Sequence, residues 1–299
     1  MNVASSKLSL RGKLMRDEPM ARHTSWRLGG PADSYYVPAD LADLQQFLAQ
    51  LDPDTELLWV GLGSNLLVRD GGFRGQVIAP LNALKQIELQ LDGELYVECG
   101  SSCARLAKFC QKKGMAGADF FAGIPGTIGG ALAMNAGAFG GETWTAVQQL
   151  IMIDRQGQLH QREVDEFEVS YRHVVLPKSE WFAAALFRFA PRVDGEESNI
   201  RQLLRQRNAS QPIGEPSCGS VFKNPPGQHA AQLIEAAGFK GHRFGSARVS
   251  DKHANFIINS DNATATDVEE LIEHVRQAVI EKHGVELVHE VRIVGEVAQ

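Results

Sequence analysis

No stretch of this 299-residue sequence is long and apolar enough to span a bilayer. The longest apolar run, Trp181 to Phe187, falls far short of the ~20 residues that a spanning helix needs. Lys7, Arg11, Lys13 and Arg16 lie near the N-terminus with no apolar stretch behind them, which argues against a secretory signal. Cysteine is scarce. Cys99, Cys103, Cys110 and Cys218 are too few for a disulfide framework and lack zinc-ligand spacing, and the nine histidines are scattered, so no metal site is expected. An excess of positive charge is also missing: 30 Lys and Arg against 36 Asp and Glu give a formal charge of −6, the wrong sign for a general nucleic-acid surface. There is no internal repeat and no low-complexity tract. What remains is 43% hydrophobic and 22% charged, the composition of a soluble globular protein of two or three domains, expected in the cytoplasm.

The charge is uneven. Between Arg201 and Lys252, eight basic residues (Arg201, Arg205, Arg207, Lys223, Lys240, Arg243, Arg248, Lys252) stand against Glu215, Glu235 and Asp251, a local balance of +5. Two readings stay open, a solvated basic face and a pocket for a small polyanion.

Residues 34–80 read as a βαβ unit. A strand at Ser34–Val37 leads to a helix capped by Asp40, with Leu44, Phe47, Leu48 and Leu51 on one face, and then to a buried strand at Leu57–Val60. Gln86–Leu91 and Glu94–Cys99 alternate about Asp92-Gly93, a hairpin signal, and a helix over Ser102–Lys113 follows. Strands are expected at Val147–Ile153, closed by a turn at Gln156-Gly157, and at Trp181–Phe189. A polar cluster at Pro191–Glu197 marks a domain boundary. Beyond it the pattern predicts a helix over Gln228–Ala237 stopped by Gly238, a strand at Ala254–Ile258 and a last strand at Val291–Val294. Before that last strand, a helix opens on a capping box, Thr266-x-x-Glu269, with Val268, Leu271, Ile272, Val275 and Val279 as its apolar face.

Residues 114–141 hold nine of the 29 glycines and one charged side chain, Asp119, yet also Phe120, Phe121, Ile124, Ile128, Leu132, Met134 and Phe139. A flexible linker is polar, so glycine here is expected to let backbone approach something closely. Within it, Gly123-Ile124-Pro125-Gly126-Thr127-Ile128-Gly129-Gly130 reads as a helix start: Pro125 opens it, Thr127 offers a hydroxyl, and the glycines leave N–H groups bare for a pyrophosphate. The spacing is not the Gly-x-Gly-x-x-Gly of a Rossmann domain. Asn135 to Glu142, with Gly137, extends the same apolar surface. Gly61-Leu62-Gly63-Ser64-Asn65 follows a strand and reads as a second anion nest, without the Gly-Lys-Ser/Thr of a P-loop. Two nests with apolar walls suit a dinucleotide that carries a large flat ring. Ser220 lacks the Gly-x-Ser-x-Gly elbow of a hydrolase, and Cys218 reads as a packing residue. Tyr171-Arg172 and His289-Glu290-Val291-Arg292 say little alone.

Together these segments resemble the UDP-N-acetylenolpyruvoylglucosamine reductase family, FAD enzymes of bacterial cell-wall precursor synthesis. The resemblance runs from His23-Thr24-Ser25-Trp26-Arg27-Leu28-Gly29-Gly30 to Glu290-Val291-Arg292, with Gly61 to Leu66, Gly123 to Gly130, Asn135 to Glu142, Tyr171-Arg172, Gly219 to Pro225 and His253 to Asn259 between them in family order. It implies an α+β fold: a two-lobed FAD-binding module of the vanillyl-alcohol-oxidase type, with lobes at 1–81 and 82–192, and a C-terminal α/β substrate domain at 193–299. It implies non-covalent FAD held by Gly61, Gly63, Ser64, Asn65, Gly123, Pro125, Gly126, Thr127, Gly129, Gly130 and Gly137. NADPH is the implied co-substrate. Arg172, Ser220 and Glu290 are the implied catalytic residues, and Arg207, Lys223, Asn224 and His253 the implied substrate contacts.

The implied reaction reduces the enolpyruvyl ether of a UDP-sugar to a lactyl ether, with the hydride relayed through the flavin. Arg172 and Glu290 would polarise the substrate carboxylate, and Ser220 would protonate the adjacent carbon. The compact region after Arg172 looks like the shorter subclass, which lacks a tyrosine-bearing loop over the substrate. Neither nucleic acid nor membrane is an implied partner, and the oligomeric state stays open. Three positions depart from the family pattern: Cys218 where a small residue is usual, Val174 where serine is common, and His289 where proline is common. Two other readings stand beside the reductase, a related flavoprotein oxidase and a flavin-binding protein without turnover.

Overall fold

The computed structural model describes residues 10–193, 195 and 197–298. Lys7, and Asp194 and Glu196 within the expected boundary, lie outside the described residues. A first sheet has the order Lys13–Pro19, Pro31–Val37, Phe73–Ile78, Leu57–Trp59. Its first pair is antiparallel and the other two pairs are parallel. Helix α1 (Leu41–Leu48) makes the crossover, so the expected βαβ unit is present, with Phe73–Ile78 inserted between its two strands. Asp40 caps α1 by accepting a hydrogen bond from Asp43 N at 2.9 Å, and Leu44, Phe47 and Leu48 are buried. Leu51 lies beyond the helix end.

A second, antiparallel sheet has the order Leu159–Glu163, Val147–Asp154, Glu180–Phe187, Leu95–Glu98, Ile87–Leu89. Its hairpin turns at Gly93, where φ is +84°, as Asp92-Gly93 predicts. Helix α2 (Cys103–Lys112) follows, capped by Ser102. One core joins Tyr36, Leu44 and Phe47 to Phe121, Leu150 and Phe187, so the two sheets share their interior.

Helix α3 (Ile128–Met134) is capped by Thr127, whose Oγ1 accepts from Gly130 N. Pro125 therefore does not open it. The backbone turns helical only after Thr127, because Ile128 N and Gly129 N are already held by the carbonyls of Ser101 and Cys99, each at 2.8 Å.

Beyond α4 (Ile200–Ser210) and α5 (Ala230–Ala236) comes a three-stranded antiparallel sheet: Arg243–Phe244, Ala247–Val249, Ile257–Asn259. The expected strand at Ala254–Ile258 starts late, because Phe256 N bonds to His253 O and closes a turn across Ala254–Phe256. Helix α6 (Ala265–His283) buries Val268, Leu271, Ile272, Val275 and Val279 as its periodicity predicts. Each such side chain contributes about 1.5–3 kcal/mol. Its capping box is Thr264 with Asp267 rather than Thr266 with Glu269. Asp70 decides this by accepting from Ala265 N, Thr266 N and the Thr266 hydroxyl, so Thr266 sits inside the first turn.

The C-terminal core also takes in Trp26, Leu28 and Leu67. The last strand, Arg292–Val294, returns to run parallel to Leu66–Val68. The chain's end is thus bonded beside the Gly61–Asn65 turn. Among the described residues, no helix is long and apolar enough to cross a membrane.

Candidate active site

A cleft follows the seam where the three parts meet. Its middle chamber, about 370 Å³, is walled by Gly61, Gly63, Ser64, Asn65, Pro125, Gly126, Thr127 and Gly130, with Lys223 at its rim. At one end, through Ser64, Asn65, Pro125, Arg172 and Glu290, it opens into a chamber of about 330 Å³ that also holds Gly123, Gly137, Arg207 and Ser220. At the other end, through Gly61, Thr127 and Gly130, it opens into a chamber of about 340 Å³ containing Gly129, Trp59 and Trp181. Asn224 and His253 do not line these chambers. Asn224 is exposed and reaches Tyr171 Oη at 3.5 Å, and the His253 ring packs on Phe256, which does line the cleft.

The middle chamber is built to accept negative charge. Among the described residues, the N–H groups of Leu62, Gly63, Ser64, Asn65, Gly126 and Thr127 donate to no protein acceptor. Successive bare N–H groups of this kind bind anions. The glycines divide by role. A Cβ on Gly61 would lie 2.4 Å from Thr127 Oγ1, and one on Gly63, where φ is +64°, 2.0 Å from His23 O. Gly129 faces Cys99 at 3.0 Å. These let the protein pack against itself. A Cβ on Gly126 would meet only Ser64 Oγ at 3.4 Å, and one on Gly130 only Thr127 Oγ1 at 3.7 Å, which leaves both facing open cleft. Asn65 works as a strut: its Nδ2 donates to Glu290 O at 2.9 Å, and its carbonyl accepts from Arg292 N at 3.0 Å.

In the far chamber, Arg172 sits in the turn between Glu168–Ser170 and His173–Val175 with φ at +54°. That left-handed conformation is uncommon for a side chain of this size and is typical of functional sites. Its Nη1 and Nη2 donate to Asn135 O at 3.1 Å and Gly137 O at 2.8 Å, where α3 ends. Its Nε lies 3.3 Å from Glu290 Oε1. One hydrogen on each terminal nitrogen is left for a ligand.

Glu290 is held by its backbone, since its N–H donates to Val221 O at 2.8 Å. It lines the same chamber as Ser220, which follows Gly219, a residue in the left-handed region with φ at +67°. Burial pushes the Glu290 carboxyl above its ordinary pKa, against the pull of Arg172 and Lys223. Arg207 adds a second cation. Burial lowers its pKa, and its Nε donates to Gln211 at 3.1 Å.

Of the basic segment, Arg207 and Lys223 reach the cleft. Arg248 pairs with Glu215 and Asp251, Lys240 with Glu235 and Arg243 with Asp261 on the surface. Cys218 packs, as expected: its buried thiol lies within hydrogen-bonding reach of Gly63 O and Leu66 O, and burial pushes its pKa up to about 12. Val174 is buried in the core, and the His289 ring lies against Phe222.

Comparison with known proteins fits this geometry. An FAD binding domain family model matches residues 32–162, and a model of the UDP-N-acetylenolpyruvoylglucosamine reductase C-terminal domain matches residues 211–294. A reductase of that name from Alkalilimnicola ehrlichii is 58% identical over 287 residues, 95% of this chain and 96% of the relative. The chain belongs to the UDP-N-acetylenolpyruvoylglucosamine reductase family. A second member, from Methylococcus capsulatus, is 56% identical over 99% of this chain and 97% of its own length. The crystal structure of the Thermus caldophilus enzyme superposes with a TM-score of 0.80 at 30% identity, covering 95% of this chain and 99% of that one. Family membership bears out the α+β fold and FAD as cofactor. Trp59 and Trp181 line the cleft without standing out in the sequence, where each reads as an ordinary strand residue, and Arg292 of the last motif lines it too.

Proposed function

We propose that this cleft reduces the enolpyruvyl ether of a UDP-N-acetylglucosamine to the lactyl ether of UDP-N-acetylmuramate with NADPH. The observation that carries this reading is the meeting of Arg172, Glu290 and Ser220 in one chamber that is continuous with a bare-amide nest. The residues present fit FAD: unpaired N–H groups and the open faces of Gly126 and Gly130 suit a pyrophosphate. When bound, FAD supplies the hydride relay between NADPH and the substrate.

The chain's own residues do the rest. Hydride addition at the terminal carbon of the enolpyruvyl group leaves negative charge on the neighbouring carbon and its carboxylate. Arg172 binds that carboxylate with the hydrogens it has free, and its other contacts fix its orientation before substrate arrives. Glu290, whose pKa burial raises, stands beside Arg172 to polarise the same group. Ser220 gives its hydroxyl proton to the carbon, which completes the lactyl ether, and regains a proton from solvent. Arg207 and Lys223 offer positive charge to the diphosphate. Asn224 and His253 lie outside the chambers, so any contact they make is with the outer part of the substrate. The reaction belongs in the cytoplasm, where NADPH is made.

Anaerobic stopped-flow tests this reading. NADPH should bleach the flavin, and the UDP-sugar enolpyruvyl ether should restore its colour. Bleaching without restoration by the enolpyruvyl substrate overturns the reaction proposed. Restoration by oxygen alone favours an oxidase.

A further inference from the structure

We propose that Asn255 positions Ser220 for proton delivery by clamping the loop that carries it. The proposal rests on the reading of Ser220 as the proton donor and goes beyond it by naming the residue that holds the donor still.

The need for a clamp follows from Ser220 itself. Among the described residues, its hydroxyl makes no hydrogen bond, so no bond of its own fixes that oxygen in the chamber. Its place is set by backbone instead, and that backbone belongs to no sheet. Apart from one isolated bridge between Phe222 and His289, residues 217–224 form no strand. On one side the loop is held by the segment before the last strand. Val221 O accepts from Glu290 N at 2.8 Å, and Lys223 N donates to Val288 O at 2.9 Å.

On the other side stands a single residue. Asn255 Oδ1 accepts from Phe222 N at 3.0 Å, and Asn255 Nδ2 donates to Phe222 O at 2.8 Å. Its main-chain oxygen accepts from Val221 N at 2.9 Å. The amide thus does for Phe222 what a neighbouring strand would do, pairing both backbone groups of one residue. Asparagine suits this place because its side chain carries a donor and an acceptor on one carbon, as a peptide group does. Asn255 is 3% exposed and Phe222 1%, so water does not replace these bonds. A buried backbone N–H or C=O left unpaired is costly, and the loop would shift to find it a partner. Ser220 stands two residues from Phe222 and would move with it. Asn255 is fixed in its turn: its N–H donates to His253 Nδ1 at 3.3 Å, and Phe256 N donates to His253 O at 3.0 Å. Phe256 lines the chamber of Ser220, so one short turn holds both the chamber wall and the loop.

A double-mutant cycle tests this, with the holoenzyme, the enolpyruvyl substrate and anaerobic stopped-flow. Asn255→Leu keeps the approximate shape of the side chain and removes both of its hydrogen bonds. It should slow substrate-driven reoxidation roughly ten- to a hundredfold, the scale of a reacting group displaced by about 1 Å. Flavin content and bleaching by NADPH should match the wild type, which also reports an intact fold. Asn255→Asp keeps the acceptor for Phe222 N and loses the donor to Phe222 O. Its rate should fall between wild type and Asn255→Leu, and it carries the test if Asn255→Leu does not fold. In a Ser220→Ala background, neither substitution should slow reoxidation further by more than about twofold, because the group to be positioned is gone. A merely structural role would cost the same in both backgrounds, and that result overturns the proposal. So does a wild-type rate in Asn255→Leu, or equal slowing of bleaching and reoxidation. Wild-type reoxidation by Ser220→Ala itself overturns the reading of Ser220 on which the proposal rests, an outcome distinct from the others.

Discussion

Arg172 Nε lies 3.3 Å from Glu290 Oε1, and each side chain is anchored from a different part of the chain. Arg172 rests on the carbonyls of Asn135 and Gly137. Glu290 is bonded through its backbone to Val221 and Asn65. The pair is therefore placed by contacts that exist before substrate binds. In the proposed reaction both groups act on charge that appears only when the enolpyruvyl group is reduced. Arg172→Ala and Glu290→Gln should slow flavin reoxidation by substrate about 10²–10³-fold and leave bleaching by NADPH near wild type. Anaerobic stopped-flow of each half-reaction checks this. Equal slowing of both halves would mean that the pair holds the flavin or the fold.

Glu290 also makes stability depend on pH. Its folded pKa is raised, with burial as the main cause. Between the ordinary carboxyl value and the raised one, the folded protein keeps a proton that the unfolded chain has released. Stability must then fall as pH rises through that window and level off above it. Glu290→Gln removes this slope. The melting temperature of the apo-variant, relative to wild type, should move upward as pH rises above the ordinary glutamate value of about 4.3. A relative fall over the same range would show that Arg172 stabilises the anion more than burial disfavours it.

The legible parts of this fold are those set by near neighbours in sequence. The face of α6 follows from its periodicity and the hairpin at Gly93 from its turn residues. The cap of α6 lies at Thr264, two residues before the one its pattern predicts, because Asp70, far away in sequence, supplies the carboxylate that captures Ala265 and Thr266. The candidate site divides the same way. The nests are legible because glycine-rich backbone with apolar neighbours is unusual. Arg172 and Glu290 are not, since an arginine or a glutamate beside a strand reads as solvated until the fold brings them together. Only the family resemblance singled them out. Trp59 is the least legible, because its signal is one unpaired N–H inside an apolar chamber.

The glycines give a prediction that separates ligand space from packing space. Gly126 has room for a side chain only where the cofactor would lie, whereas Gly61 has none, with Thr127 in the way. Gly126→Leu should give an apo-protein that melts close to wild type yet purifies without yellow flavin. Gly61→Ala should lower apo stability by about 1–3 kcal/mol, the usual cost of overpacking, whatever its flavin content. Gly129→Leu should behave like Gly61→Ala, because Cys99 stands 3.0 Å from its Cβ position. Denaturant titration of the apo-proteins, alongside flavin absorbance as purified, distinguishes the two classes. A destabilised Gly126→Leu apo-protein would remove the distinction.

Ser220 carries the sharpest expectation. Carbon next to a carboxylate becomes strongly basic once hydride has added, so its proton donor need not be acidic. A serine hydroxyl keeps its proton at neutral pH, whereas an ordinary carboxylic acid is largely ionised there. Ser220 lies in the chamber of Arg172 and Glu290, on the loop that carries Val221, the anchor of Glu290. Ser220→Ala should leave flavin content and NADPH-driven bleaching unchanged while substrate-driven reoxidation falls roughly 10²–10⁴-fold, the range for a positioned general acid. Ser220→Cys should retain part of the rate, because a thiol also donates a proton. The same experiment in deuterated water should show a solvent isotope effect on reoxidation in the wild type. Wild-type reoxidation by Ser220→Ala would reduce Ser220 to a turn residue and send the search for the proton to Glu290, its neighbour across Val221.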